Sequence, residues 1–154
     1  MEGNRMQSVR RVQSAAVDID RQAHFFCDLM TGHGDYVAAL DEEIRFARVF
    51  NKGLDMQATA HHRKIFAKYS QLLHREGSDT VVLGRYKFFL FEEDRVDPFL
   101  LEKQPFYSLE FDAGGRVLGD ESLLTSPALR LAPEAKAGFT CAILAALYER
   151  MTEE

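Results

Sequence analysis

All five histidines of this 154-residue chain lie between residues 24 and 74, and this cluster is the part of the sequence best suited to chemistry. His24 precedes Cys27 by three residues, so the two side chains share one face if the segment is helical. Imidazole and thiolate groups are favoured ligands of zinc and other transition metals. With His61 or His62 supplied by a second helix, the cluster predicts a transition-metal site.

The spacing of these histidines also permits a purely structural interpretation. The sequence contains no Cys-x-x-Cys and no His-Glu-x-x-His motif. His61 and His62 are neighbours, so on a helix their side chains would point about 100° apart. In this interpretation His62 is a hydrogen-bonded core residue and His61 lies on the surface.

Other arrangements that could support catalysis or anion binding are incomplete. Cys27 and His24 supply a thiol and a base, but the neighbouring Phe25-Phe26 predicts an apolar setting that raises a thiol pKa. Gly32-His33-Gly34 could bring backbone amides close to an anion, although a turn that ends a helix is the simpler explanation. No residue is assigned a catalytic role, which favours a non-enzymatic protein.

Two basic clusters could contact phosphates: Arg10-Arg11, and His61–Lys64 together with Lys68. Residues 1–77 carry 11 Lys and Arg against 10 Asp and Glu, whereas residues 78–154 carry 8 against 14. The acidic second half argues against nucleic acid as a partner, because nucleic-acid binding needs a basic surface. A small nucleic-acid-associated regulator is therefore a weaker hypothesis, and solvated helix faces explain the basic clusters more simply.

Helical periodicity dominates the first half of the chain. Apolar residues spaced three and four apart predict a helix over about 6–30 that packs along one stripe: Val9, Val12, Ala16, Ile19, Ala23, Phe26 and Met30. The same spacing predicts two more helices, over 35–51 and 55–76: Val37, Leu40, Ile44 and Ala47, then Ala58, His62, Ile65, Tyr69 and Leu72. Short glycine-containing connections make these about three helices antiparallel neighbours.

Beyond Gly77 the apolar residues alternate instead, which is typical of strands. Strands are predicted over 80–91 and 106–112, and a glycine-rich turn leads to a return strand over 116–119. Residues 99–101 are a candidate for one further short strand. The sequence thus predicts an antiparallel sheet of three to four strands over about 80–119.

The last predicted helix covers residues 134–151, with Pro133 as a favourable first residue. Its apolar residues occupy more than one side, so we expect it to be largely covered by the sheet, by the first helix or by a second subunit. The predicted fold is a single α+β domain over residues 1–154, with a helical layer, a sheet and a C-terminal packing helix.

The aromatic face of the predicted sheet is the candidate ligand pocket. Core packing is the default explanation for so many rings, but a partly covered face would form an apolar pocket. The pocket candidates are Tyr86, Phe88, Tyr107, Phe111 and Phe139.

Composition limits the functional classes further. The chain has 46% hydrophobic residues, a net charge of −5, no apolar run long enough for a membrane span and no evident secretory signal. Cys27 and Cys141 are expected to be reduced, buried thiols in a cytoplasmic protein. We expect a binding or regulatory module for a protein partner or a small apolar ligand, which self-associates as a homodimer through its helices. The alternative is a metal-binding enzyme or sensor that uses the His/Cys cluster.

Overall fold

A computed structural model describes residues 2–32, 44–91, 104–118 and 133–152. These residues form two helices and a six-stranded antiparallel sheet. The elements are α1 (Glu2–Thr31), β1 (Arg45–Arg48), β2 (Met56–Ala60), β3 (Arg63–Glu76), β4 (Asp79–Leu90), β5 (Tyr107–Phe111), β6 (Val117–Leu118) and α2 (Pro133–Thr152).

The sheet is a meander in which each strand pairs with the next one along the chain. Its main unit is the long β3–β4 hairpin, which is paired continuously from Ile65↔Leu90 to Glu76↔Asp79. The two-residue turn of this hairpin contains Gly77, whose φ of 60° is unstrained only for glycine. Sequential antiparallel pairing allows short turns, so the whole sheet can form from local connections.

The core lies between one face of the sheet and the two helices. Phe26 of α1 is fully buried there, with its ring centroid 4.9 Å from that of Tyr86 on β4 and 5.3 Å from that of Phe139 on α2. Helix α1 therefore packs against both the sheet and α2. We call this side of the sheet its inner face and the opposite side its outer face.

Alternation along the strands determines which residues enter the core. On β4 the buried inner-face residues are Val82, Gly84, Tyr86, Phe88 and Leu90. On β2 the residues Met56, Ala58 and Ala60 are buried while the two between them are exposed. This period of two is that of a sheet with one covered face.

The expected layer of about three N-terminal helices is wrong. Residues 55–76, predicted as one helix, form β2, the His61-His62 turn and β3. The local sequence contains many good helix formers, but burial of Ile65 and Ala67 against Leu90 and Phe88 favours the extended conformation. Helix propensity is a weak preference that tertiary packing overrides.

The predicted helix over 35–51 is also wrong where it can be compared, because Arg45–Arg48 is a strand. Its first part, with Val37 and Leu40, lies outside the described residues, as does the short strand predicted over 99–101. The expected three to four strands are too few, since the sheet has six.

Several predictions are confirmed. The chain is an α+β protein with one N-terminal and one C-terminal helix, and strands occupy the predicted places at 80–91 and 106–112. The turn between β5 and β6 uses Gly115 at φ 83°. Neither helix of the described residues has the length and apolar character needed to cross a membrane.

Polar contacts fix the C-terminal end and the middle of α1 against the rest of the molecule. The buried Lys136 ammonium of α2 donates a hydrogen bond to the Gly32 carbonyl, just beyond the C-terminus of α1. A cation there is favoured by the partial negative charge of a helix C-terminus. Nearer the middle of α1, the Gln22 amide donates to the Ala113 carbonyl at 3.2 Å and so holds the β5–β6 turn.

Candidate ligand-binding face

The outer face of the sheet carries aromatic rings that neither of the two described helices covers. Phe66 on β3 and Phe89 on β4 are directly paired, and both are half-buried. Phe91, just past the end of β4, packs edge-to-face on Phe66 with ring centroids 6.5 Å apart. These three rings form an apolar patch on the side of the sheet opposite to the core.

Beside this patch lies a groove of about 810 Å³, which we call the outer groove. Strands β1, β2 and β3 supply most of its wall. Among its lining side chains, those on the outer face include Arg45, Gln57, Thr59, Lys64, Phe66 and Phe91. Its volume lies in the range typical of small-molecule sites, roughly 300–1,000 Å³.

The charged residues among the described lining of the outer groove are all basic. The described residues that line it include Arg45, Arg48 and Lys64, and none of these described residues is Asp or Glu. Arg48 is committed elsewhere, since its guanidinium donates to the Asp28 carboxylate at 2.7 Å and to the Gly53 carbonyl at 2.8 Å. Arg45 and Lys64 are exposed, and no ion pair joins either of them to another described residue.

Two more cations adjoin the aromatic patch. Lys68 and Lys87 lie directly opposite each other on β3 and β4, in the pair next to Phe66 and Phe89. Like charges in directly opposed positions destabilise a sheet. The Asp55 carboxylate accepts a hydrogen bond at 2.8 Å from the backbone amide of Tyr69, the residue next to Lys68. The outer face thus carries aromatic rings with cations on either side.

The next basic residue along the outer face, Arg85, is neutralised by an ion pair with Glu110. The Arg85 guanidinium donates from two nitrogens to one Glu110 carboxylate oxygen, at 3.0 and 2.8 Å. This ion pair separates the cationic part of the outer face from the distal end of the β3–β4 hairpin. The cationic region is therefore confined to the end of the sheet that carries the outer groove.

The pocket residues predicted from the sequence lie on the other side of the sheet. Tyr86, Phe88, Phe111 and Phe139 are fully buried between sheet and helices, and Tyr107 is half-buried beside Phe88 at a centroid distance of 5.6 Å. Four of the five belong to one hydrophobic core, and Tyr107 packs against it. Their role in ligand binding stays a prediction.

A polar contact lies within this apolar core. The Cys27 thiol is 3.1 Å from the Tyr86 hydroxyl, and both groups lie within hydrogen-bonding distance of the Leu54 carbonyl, at 3.2 and 2.8 Å respectively. Burial raises the pKa of Cys27 and that of Tyr86 above their ordinary values, because burial disfavours the charged forms. A thiol held protonated is a poor nucleophile, so this arrangement stabilises the core rather than supporting covalent catalysis.

A second polar network joins α1 to β3 at the edge of the core. The Tyr69 hydroxyl donates to the Asp20 carboxylate at 2.7 Å, and the Gln71 amide donates to the same oxygen at 2.8 Å. Burial is the main cause that raises the pKa of Tyr69, and the adjacent Asp20 carboxylate raises it further. The network anchors the middle of α1 to the long hairpin.

The residues of the predicted metal site are distributed over several environments. His24 is exposed on α1, Cys27 is fully buried, and His61 and His62 are exposed in the β2–β3 turn. The described residues contain no group of three or more His, Cys, Asp or Glu side chains placed to hold a metal ion. The metal site stays a prediction, and the interpretation of His62 as a core residue is wrong.

The histidine turn has an unusual backbone. Both His61 and His62 adopt positive φ values, 50° and 65°, as a two-residue hairpin turn of this type requires. Such a conformation costs roughly 1–2 kcal/mol for a residue with a side chain. His61 is also 3.0 Å from the Tyr148 hydroxyl of α2, so the turn contacts the C-terminal helix.

The two cysteines are both free, as expected for reduced thiols. Cys27 is buried, but Cys141 on α2 is exposed, so the expectation of two buried thiols is wrong for Cys141. Position 141 lies on the side of α2 away from Phe139 and Ile143, which face the core. Because apolar residues lie on several sides of α2, the sequence pattern did not indicate that position 141 is exposed.

The outer groove is not predicted by the sequence. The predicted helices over 35–51 and 55–76 contain Arg45 and Phe66, and in helices these residues would not lie on one face with Lys64 and Phe91. The alternation of Lys64, Phe66 and Lys68 was the available signal, because charged and aromatic residues two apart lie on one face of a strand.

Comparison with protein families, with curated proteins and with solved structures finds no match to this chain.

Proposed function

We propose that this protein is a non-enzymatic binding module that takes a ligand or partner in the outer groove and forms a homodimer through α1. The observation that carries the proposal is the outer groove itself, with aromatic side chains and unpaired cations on a face that the described helices leave uncovered. Exposed apolar surface bordered by polar residues is typical of interaction sites. Two free cysteines support a reducing compartment, and we place the protein in the cytoplasm.

Nuclear magnetic resonance of the ¹⁵N-labelled protein tests the binding site directly. We expect a mixture of small aromatic and aliphatic compounds to shift backbone amide signals of β1, β2 and the start of β3. The variant Phe66→Gln should remove these shifts, because it takes one ring out of the lining. The matched control is Leu73→Gln, which removes an exposed apolar side chain near the distal end of β3.

Two outcomes would contradict the binding proposal. One is that no compound at millimolar concentration shifts the signals of the outer groove. The other is that the shifts persist unchanged in Phe66→Gln although the rest of its spectrum matches that of the parent protein.

The dimer proposal rests on exposed apolar residues in the first half of α1. Met6, Val9 and Val17 are 57%, 55% and 59% exposed. They repeat at spacings of three and eight residues, which places them on a common stripe. Val9 continues the line of residues that pack on the sheet farther along α1, and Met6 and Val17 lie beside that line. A stripe of this kind needs a partner helix to become buried.

A second copy of the chain suits this stripe by charge. The N-terminal turns of α1 carry Arg5 and Arg10. The turn that follows Val17 carries Asp18, which pairs with Arg21 at 3.5 Å, and Asp20, which already accepts hydrogen bonds from Tyr69 and Gln71. An antiparallel pair of α1 helices would therefore place basic residues of one copy near acidic residues of the other. Twofold pairing of identical surfaces is the commonest form of oligomer.

Light scattering after gel filtration measures the mass. We expect a dimer at high micromolar concentration and a monomer for Val9→Glu/Val17→Glu, which places charges within the stripe. Gln7→Glu/Ser14→Glu adds the same charge to α1 away from the stripe and should remain dimeric. A monomeric parent protein, or a dimer that Val9→Glu/Val17→Glu leaves intact, would refute pairing through this stripe.

A further inference from the structure

The structure assigns the outer groove to a small aromatic anion, with its carboxylate or phosphate held by Lys64 and Arg45 and its ring against Phe66 and Phe91. This inference rests on the proposed binding function and specifies the chemical class of its ligand.

The register of three strands brings the two cations into one row. Arg45 is paired with Thr59 on β2, and Thr59 is paired in turn with Lys64 on β3. The two backbones are two strand spacings apart, about 10 Å, which the long side chains of both residues can span. An anionic group placed above Thr59 can therefore reach both cations and the threonine hydroxyl.

The aromatic residues lie at a suitable distance from this row. Phe66 is two residues along β3 from Lys64, about 7 Å away, and points to the same face. The Phe91 backbone amide donates to the Lys64 carbonyl at 3.1 Å, which fixes the second ring at the level of the cations. A rigid ligand with an anionic group attached to a ring system spans this separation.

Electrostatics select an anion for this position. No acidic residue is among the described residues that line the outer groove, and no described acid forms an ion pair with Lys64 or Arg45. An anion that enters the groove would therefore not have to displace an existing ion pair. Hydrogen bonds from Lys and Arg to carboxylate or phosphate are roughly twice as strong as those between neutral groups.

The shape of the aromatic pair favours a single small molecule over a nucleic-acid strand. Phe66 and Phe91 meet at an interplanar angle of 83°, so they form an angled corner and not successive parallel platforms. A ring seated in such a corner can make edge-to-face and offset contacts with both residues. Single strands of nucleic acid instead bind by stacking successive bases along a basic surface.

The test compares 2-naphthoate with its uncharged analogue 2-naphthamide, which has the same ring system. Amide signals of the ¹⁵N-labelled protein report both the site and the affinity. We expect naphthoate to shift the signals of Arg45, Thr59, Lys64 and Phe66 and to bind about tenfold more tightly than naphthamide. Lys64→Gln should weaken naphthoate binding about fivefold, whereas Arg75→Gln, which removes one charge at the distal end of β3, should leave it unchanged.

The remaining outcomes separate this inference from the proposed function. If naphthamide binds in the groove as tightly as naphthoate, the ligand is not an anion, although the binding function stands. If neither compound shifts the groove signals while other compounds do, the assigned class is wrong. If a 15-residue oligothymidylate binds more tightly than naphthoate, with affinity that falls steeply with salt, the face binds nucleic acid instead.

Discussion

Tyr86 is the residue on which most core contacts converge. Its ring contacts Phe26, Tyr69, Phe88 and Phe111, and its hydroxyl donates to the Leu54 carbonyl at 2.8 Å. The ring is fully buried, so the hydroxyl must find its partners inside the protein. The carbonyl that precedes β2 and the Cys27 thiol supply them, which ties α1, β2 and β4 together at one point.

Ionisation of these buried groups predicts how stability depends on pH. The pKa values of Cys27, Tyr69 and Tyr86 are raised in the folded protein, from ordinary values of 9.0 for the thiol and 10.0 for the phenols. Below about pH 8 these groups are almost fully protonated in both states and add little pH dependence. Above it the unfolded chain loses protons first, so the free energy of unfolding should fall as the pH rises.

Urea denaturation between about pH 8 and 11 measures this decline. Tyr86→Phe should lower stability near neutral pH by about 1 kcal/mol, through loss of hydrogen bonds, and should make the decline above pH 10 shallower. A group that is protonated in the folded protein and deprotonated in the unfolded chain lowers the free energy of unfolding by about 1.4 kcal/mol per pH unit. Tyr148→Phe is the control, because Tyr148 is 39% exposed, and equal slopes for the two variants would contradict the assignment to Tyr86.

At the scale of an element, β4 depends on having no side chain at position 84. A Cβ built on Gly84 would lie 2.2 Å from Cζ of Phe111, which is paired with it on β5. The Phe111 ring cannot move aside easily, since it is fully buried and packs on both Tyr86 and Tyr69 at centroid distances of 6.4 and 6.5 Å. Glycine here allows the close approach of an aromatic ring on the neighbouring strand.

Gly84→Ala should therefore destabilise the protein by about 2–3 kcal/mol, as overpacking of a rigid core does. Thermal or urea unfolding measures the change. Gly3→Ala is the control, because nothing lies within 4 Å of a Cβ at that position, and it should alter stability by only a few tenths of a kcal/mol. A combined Gly84→Ala/Phe111→Leu variant should recover part of the loss, and failure to recover any would indicate a backbone effect instead.

At the scale of the whole molecule, α1 is longer than the core that it covers. Thirty residues extend about 45 Å, yet the fully buried residues of α1 begin at Ile19. The first turns have few packing partners among the described residues, and isolated helical turns are only marginally stable in water. The two halves of α1 should therefore differ in stability.

Amide hydrogen exchange tests this difference. Amides of residues 19–30 should be strongly protected at every protein concentration. Those of residues 6–14 should exchange quickly at low micromolar concentration and become protected as the dimer forms. Strong protection of residues 6–14 that does not change with concentration would contradict both the marginal stability of this half and its role in pairing.

The sequence by itself determined the helix or strand assignment of those elements whose residue pattern fits only one of the two. In α1 the apolar spacing of three and four residues continues over seven positions, β4 is rich in aromatic and β-branched residues, and in β5 apolar and polar residues alternate. Each of these patterns is long or distinctive enough to outweigh competing local preferences. The α+β class followed from them, as did the N-terminal and C-terminal helices.

Tertiary structure alone decided β2 and β3, and with them the outer groove. The segment with Ala58, Ile65 and Tyr69 has apolar residues at both helical and alternating spacings, and its Ala, Gln, Lys and Leu residues favour a helix locally. Pairing with β4 resolves the ambiguity, because it buries Ile65 and Ala67 in the core and pairs twelve residues of β3 with the neighbouring strand. Lys64 and Phe66 share one face once β3 is extended, and Arg45 joins them through the β1–β2 and β2–β3 pairings, which no local pattern in the chain specifies.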